Sequence, residues 1–481
     1  MTRQHPFAIA QHGFKFVRNL GIFIFIAIFQ DVLDGEWLFP SLFIIGWFIL
    51  GALLGFLHWY FLRYDLDTED LTVYKGVFSK KVETFPYVKI SGVHYQSNPL
   101  LRLFNLTSLH IETAGNMETS ASLTLKHTTA QEMENTILNY ADNIELTNEE
   151  EHVVVEESPE KNTVDYRLPW SYVIVMSATS NSFYAGLILI LSSLNRIYDF
   201  AFYSFGLNLP LSAEEFSYGA ILALSPLFLL PILLISVLGA WVFGTIIVSL
   251  RYANFTVKRD GDKLYMSYGL WTTRHIALEV SRIQAIRIQE GIVRRWLGFN
   301  SVAFDSIGYD HSSEGLNETV LLPLVRRKET WELIQRLVPE FYVQPTLSHS
   351  PSRARIRFYN RGAFLPLLIP AVAGFFWSPL WWLLIATPFL LYLSELRFRD
   401  NGIGTVEDKI VTSSRLIQKE MVVIPWPGLQ SIDRTESFFQ RRRNLASYQI
   451  SVATDKVSMM YNANELDPNL HPHLISFMQR D

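Results

Sequence analysis

The side chains best able to do chemistry in this 481-residue chain are its histidines and arginines. Three histidines, His94, His110 and His127, lie within one stretch, but the rest of the chain has no equivalents, so ordinary surface or core roles are expected for them. His471 and His473 flank a proline and form a weak metal pair with no third ligand, and Glu279 near His275 reads as strand decoration rather than as an acid-base couple. There is no glycine-rich phosphate loop ending in Lys-Ser or Lys-Thr, no serine set between glycines and no His-Glu-x-x-His. The absence of cysteine removes disulfides, thiolate metal sites and a cysteine nucleophile together. No catalytic, cofactor-binding or metal-binding residue is therefore expected, and the chain is not read as an enzyme.

The arginines are more suggestive. Arg274, Arg282, Arg287, Arg294 and Arg295 crowd one region, Arg441, Arg442 and Arg443 another, and Arg102 stands in a third. Basic side chains near an anionic leaflet are each attracted by about 1 kcal/mol, so Arg102, Arg287, Arg294, Arg295, Arg441, Arg442 and Arg443 are the candidates for binding lipid head groups or a partner. The competing reading is a set of solvated faces bridged to nearby acids. Nucleic acid is excluded as a partner by the net charge of -5 and by the division of the basic residues among separate regions. A transporter would hold polar groups at membrane depth, for which His58 and Asn181 are the few candidates, and helix breaks around a binding site, for which Pro366, Pro370 and Pro388 are the candidates.

Those arginines are positioned by a repeat. Leu264 to Gly308 aligns without gaps on Leu71 to Gly115 and on Ile410 to Thr454. Identities are few, but the apolar positions coincide: Ile90, Ile283 and Leu429; Val93, Ile286 and Ile432; Leu106, Phe299 and Leu445; Ile111, Phe304 and Ile450. Arg102, Arg295 and Arg441 coincide as well, as do Ser108, Ser301 and Ser447. A period this long means repeated units rather than one core. Within each copy, short partly alternating runs rich in Val, Ile, Tyr and Thr predict antiparallel strands, closed by a helix over Thr128–Tyr140, Arg326–Leu337 or Glu465–Gln479.

An apolar double stretch precedes each copy. Phe14 to Leu33 and Leu38 to Leu62 predict a first membrane hairpin, for which a cleaved signal peptide is the competing reading. Tyr172 to Leu194 and Ala220 to Leu250 predict a second; Ala363 to Leu393, broken at Trp377-Ser378-Pro379, predicts a third that either spans or re-enters. The expected fold is thus a multi-pass α-helical membrane protein, with about six transmembrane helices in three hairpins and three cytoplasmic domains of antiparallel β-sheet plus a C-terminal helix. The expected boundaries are hairpins at 14–62, 167–250 and 362–396, domains at 63–141, 251–342 and 397–481, an acidic linker at 142–166 and a basic linker at 343–361. Lysine and arginine placement puts both termini and all three domains on the cytoplasmic side of the inner membrane.

With the hairpin-then-domain order and the basic-aromatic turns Arg102-Leu103-Phe104, Arg295-Trp296-Leu297-Gly298 and Arg441 to Asn444, the chain resembles the bacterial pleckstrin-homology-like membrane proteins of the YdbT family. The third copy departs from the pattern in its Pro425-Trp426-Pro427 and in having no counterpart of Gly269. The resemblance implies three PH-like domains fastened to the cytoplasmic membrane, and a shorter membrane protein of the same family as partner. The function expected is a non-enzymatic platform for anionic lipid head groups or a partner protein, with the bilayer as its standing partner. The alternative is a transporter or export factor for an apolar or amphipathic compound, including a role in resistance to membrane-active peptides.

Overall fold

The computed structural model describes residues 2–11, 13, 38–76, 79–87, 90–113, 121–134, 136–137, 164–180, 226–307, 319–376, 378–453 and 459–478. Seven strands recur three times. The first unit holds β1 (Thr2–Arg3), β2 (Arg63–Leu66), β3 (Asp70–Lys75), β4 (Lys81–Pro86), β5 (Ile90–Ser97), β6 (Leu106–Thr113) and β7 (Ala121–Lys126). The second holds β8 (Val164–Arg167), β9 (Thr256–Asp260), β10 (Lys263–Tyr268), β11 (Thr273–Glu279), β12 (Ile283–Glu290), β13 (Phe299–Ser306) and β14 (Thr319–Arg326). The third holds β15 (Ser348–His349), β16 (Gly402–Val406), β17 (Lys409–Arg415), β18 (Lys419–Pro425), β19 (Leu429–Thr435), β20 (Ala446–Val452) and β21 (Met459–Leu466).

Each unit divides between two sheets. Its first four strands form one and its last three another, and apolar residues from both halves meet in a shared core. In the first unit Leu71, Val73 and Phe85 pack with Val93, Leu109, Ile111 and Leu123. Alternation explains this: Leu71 and Val73 on β3 are fully buried while Thr72 and Tyr74 between them are only partly so. A helix closes each unit, formed by residues 127–134 in the first, Thr330–Leu337 in the second and His471–Met478 in the third. On the second of these, Ile334 and Leu337 are buried at helical spacing.

The local irregularities also repeat. The first strand of each second half slips register at the same aligned place, between Ile90 and Gly92, Ile283 and Ala285, and Leu429 and Ser431. The turn after that strand ends in a left-handed residue in every unit, Asn105 (φ 54°), Gly298 (φ 75°) and Asn444 (φ 49°), the residue types that adopt this conformation at least cost. The missing counterpart of Gly269 has a physical explanation. Gly76 and Gly269 have φ of 111° and 107°, whereas Arg415, aligned with them, ends β17 with its guanidinium directed at Asp400. The pairing of β17 with β18 nevertheless runs unbroken from Lys409↔Pro425 to Arg415↔Lys419.

The units are not separate. The second half of the first unit and the first half of the second form one seven-stranded sheet, β7-β6-β5-β11-β10-β9-β8, and the next junction makes β14-β13-β12-β18-β17-β16-β15 in the same way. Val93 pairs with Ala277 across the first junction and Ile286 with Val423 across the second. These pairs are equivalent under the repeat, so both junctions use one register. The expectation that the basic residues are divided among separate domains is corrected accordingly.

The membrane part of the expected fold is also corrected. Among the described residues no helix is long and apolar enough to cross a membrane, so the expected six transmembrane helices in three hairpins are not found there. In the third apolar stretch the segments themselves are short. It is cut into Leu365–Ala373, a 3₁₀ segment Ser378–Ala386 and Thr387–Asp400, each too short for the ~20 residues that a bilayer core requires. The expected helix over 14–33 and most of that over 172–194 fall outside the described residues. Helices Leu38–Phe61, Trp170–Ala178 and Pro226–Arg251 lie between the first and second strands of the first two units, and antiparallel sheet dominates the described residues.

Candidate functional site

The aligned arginines Arg102, Arg295 and Arg441 stand on one short helix per unit, Pro99–Leu103, Ile292–Leu297 and Phe438–Arg441, each joining the first two strands of a second half. Ser437 caps the third reciprocally with Gln440. The aligned serines hold two of these turns in place: Arg294 Nη1 donates to Ser301 Oγ at 3.1 Å and Gln440 Nε2 to Ser447 Oγ at 2.8 Å. Ser108 instead meets His110 and Ser122.

All three turns expose large apolar side chains beside their arginines. Leu103 is 78% exposed, Trp296 86% and Phe439 65%, with Leu100, Phe104, Val293, Leu297 and Phe438 also exposed. The turns lie close to the helices. Arg294 Nε donates to Thr179 Oγ1 at 3.1 Å, at the end of Trp170–Ala178, and the Phe104 ring lies 4.9 Å from that of Phe7. Through the first junction, Arg102 Nη1 donates to the Leu270 carbonyl at 3.2 Å. Leu270 and the 68%-exposed Trp271 occupy the tip of a hairpin whose Leu270 N–H donates to the Leu250 carbonyl, near the end of Pro226–Arg251. The aligned tip in the third unit, Leu416 and Ile417, is equally exposed. Sequence reasoning missed these tips, although paired bulky apolar residues in a hairpin turn, where polar residues are the norm, are the signal that marks them.

The candidate arginines separate into distinct environments. Arg441 and Arg442 are exposed, the latter 4.9 Å from the Phe438 ring centre; Arg443, also exposed, donates to the Arg353 carbonyl at 3.3 Å. Arg295 is half-committed, donating to Asp400 Oδ2 at 3.1 Å across the second junction. Arg287 is buried in that junction, 3.1 Å from fully buried Asp305 and 3.4 Å from Glu420, and Tyr461 OH also donates to Asp305. Burial and the Asp305 charge push the Tyr461 phenol up. Asp400 gathers Arg415 at 2.6 Å, Arg295 and Lys419. Its burial alone would raise its pKa, but the Arg415 hydrogen bond and the three cationic charges hold it below the usual carboxylate range.

The histidines meet at the first junction. His94 and His110 stack at 5.2 Å, and Tyr95 stacks on His275 at 4.6 Å with His127 edge-on to it. Burial, then the charges of His110 and Arg274, lowers His94 to about 3, and burial pushes Glu134 up to about 7. Glu279 is bonded to Arg282 at 2.5 Å rather than to His275. Of the residues considered for transport, His58 and Pro366 are exposed, Pro370 is buried, and Asn181 lies outside the described residues. Among the described residues no three His, Asp or Glu side chains converge as metal ligands.

Three equivalent sheet units, each closed by a C-terminal helix, agree with matches to the bacterial PH domain family over residues 21–141, 217–340 and 364–467. The chain belongs to that family. It is similar to UPF0699 transmembrane protein YdbT of Bacillus subtilis (strain 168), with 23% identity over 428 residues, 86% of this chain and 83% of the relative. The resemblance to the YdbT family therefore holds over most of the chain. No solved structure matches it significantly.

Proposed function

We propose that the chain is a non-enzymatic, membrane-associated platform whose three PH-like units lie against the cytoplasmic leaflet through their basic-apolar turns. The carrying observation is the threefold recurrence of a turn that exposes bulky apolar residues beside arginine. Water is a poor environment for such side chains, and the lipid interface suits them, with guanidinium groups at the head groups and apolar bodies below. The exposed apolar side chains of the preceding helices, Ile45, Phe48 and Ile49 in the first unit and Ile235, Leu238 and Ile246 in the second, call for the same apolar surroundings. The relative's name, a transmembrane protein, supports this reading. In it Arg102, Arg294, Arg295, Arg441, Arg442 and Arg443 meet anionic head groups, and Arg287 serves the junction instead.

The absence of native cysteine supplies the test. Single cysteines at Leu103, Trp296 and Phe439 of the full chain, labelled with a polarity-sensitive dye, are read with vesicles of neutral or partly anionic lipid. Blue-shifted emission at all three sites, stronger with anionic lipid and weakened by salt, is expected. Water-like emission at all three, in either lipid, refutes lipid contact by the turns.

A further inference from the structure

The junction that joins the units is built from one pair of strand classes. The last strand of a first half (β11 or β18) receives the first strand of the preceding unit's second half (β5 or β12) in one register. At the two ends of the array each class is left over. β4 ends the first sheet and β19 ends the last, each with a strand on one side only among the described residues. We propose that β19 of one copy pairs with β4 of a second copy, continuing the array head to tail.

Exposure supports this. All eight residues of β12 are buried, whereas β19 is half-buried or exposed throughout. Val93 and Ile286 are fully buried, but the aligned Ile432 is only partly covered. On the other side Val82 is 57% exposed, while the aligned His275 stacks on Tyr95 and Met421 packs against the second unit's core. Long uncovered edges template pairing, and a partner strand is their usual cover.

Carrying the common register to the ends sets Ile432 opposite Thr84, Arg434 opposite Val82 and Glu436 opposite Lys80. Asp433 falls opposite Glu83, whose charge is already met by Lys75 at 2.6 Å and Lys81 at 2.9 Å. A second copy fits because the chain itself carries both halves of the junction. Such a heterologous contact makes a ring where the rotation closes and an open row where it does not.

The test again uses the cysteine-free background. Full-length Thr84→Cys and Ile432→Cys variants with different tags are co-expressed, and their membranes are treated with a mild oxidant. The expected product is a two-chain species carrying both tags, absent when either variant is expressed alone and several-fold weaker for the out-of-register pair Lys80→Cys with Leu429→Cys. Equal cross-linking of one variant to itself, or an Ile432→Cys adduct with a different protein, overturns the proposal. The mass of the untreated wild-type particle in lipid nanodiscs gives an independent reading: two or more chains are expected, and a single chain overturns it even where no disulfide forms.

Discussion

Replacing Asp400 by asparagine removes the carboxylate on which Arg415 and Lys419 of the third unit and Arg295 of the second converge. Its Oδ2 accepts from Arg415 Nε at 2.6 Å and Arg295 Nη1 at 3.1 Å, and Lys419 lies 3.5 Å from Oδ1. Asparagine keeps the shape but not the charge. The Arg415 side chain, fully buried, then keeps its bond to the Ile417 carbonyl and faces a neutral amide oxygen in place of its counter-charge. Breaking a buried pair from one side costs about 3–5 kcal/mol, and partly exposed Arg295 adds little to that. At roughly 2–4 °C per kcal/mol for a cooperative block of 150–250 residues, the unfolding midpoint falls by about 6–20 °C. The pH dependence follows from the lowered pKa. The contribution of Asp400 is complete above its unfolded value near ~3.9 and fades as pH falls through the lower folded value, so the deficit of Asp400→Asn narrows only in strong acid. Fluorescence-detected melting of the full chain in detergent, at neutral pH and in an acid series, reads both quantities. A midpoint unchanged at pH 7, or a deficit that does not narrow in acid, refutes the ionic anchor.

Other perturbations read other parts of the structure. Arg287→Met strands fully buried Asp305 and is expected to cost about 3–5 kcal/mol, much of it recovered in Arg287→Met/Asp305→Leu, as a double-mutant melting cycle will show. His94 is held neutral with a pKa of about 3, so its contribution is complete above pH ~6.5 and lost at up to about 1.4 kcal/mol per pH unit as pH falls toward the folded value. His94→Phe is therefore expected to flatten the stability profile between pH 6 and 4, a window distinct from that of Asp400; an unchanged profile counts against a buried neutral imidazole. Gly269→Ala places a Cβ 2.0 Å from the Thr272 carbonyl oxygen at φ 107°, and a loss of about 1–3 kcal/mol is expected in denaturant unfolding.

The repeat was legible because its apolar positions alternate, and the same alternation gave the strands and cores. What joins the units was not. β12 reads Ile-Gln-Ala-Ile-Arg-Ile-Gln-Glu, a pattern that predicts one wet face, yet every residue is buried because a neighbouring strand and unit cover it. Arg287 is expected at head groups for the same reason: its partners Asp305, on the neighbouring strand, and Glu420, in the next unit, are distant in sequence, and no local spacing reveals them. The third apolar stretch carries its break in the sequence, at Trp377-Ser378-Pro379, where helix Leu365–Ala373 gives way to the 3₁₀ segment Ser378–Ala386. The turns were found through their arginines, and their exposed apolar partners emerged only once the hairpins were folded.

The common register has a consequence for lipid contact. Because strand ladders rather than linkers set the relation of one unit to the next, the three basic-apolar turns are held at fixed separations. Each turn alone offers one to three arginines, at about 1 kcal/mol each near an anionic surface. That is weak singly. On one rigid array the first contact raises the effective concentration of the others, provided the geometry lets all of them reach the same surface. Loosening the second junction through Asp305→Leu, which removes the buried acceptor of the third unit's Tyr461 hydroxyl, therefore reduces lipid contact at Trp296 and Phe439 while leaving every candidate arginine in place. Loss confined to arginine substitutions would show instead that the turns act one at a time.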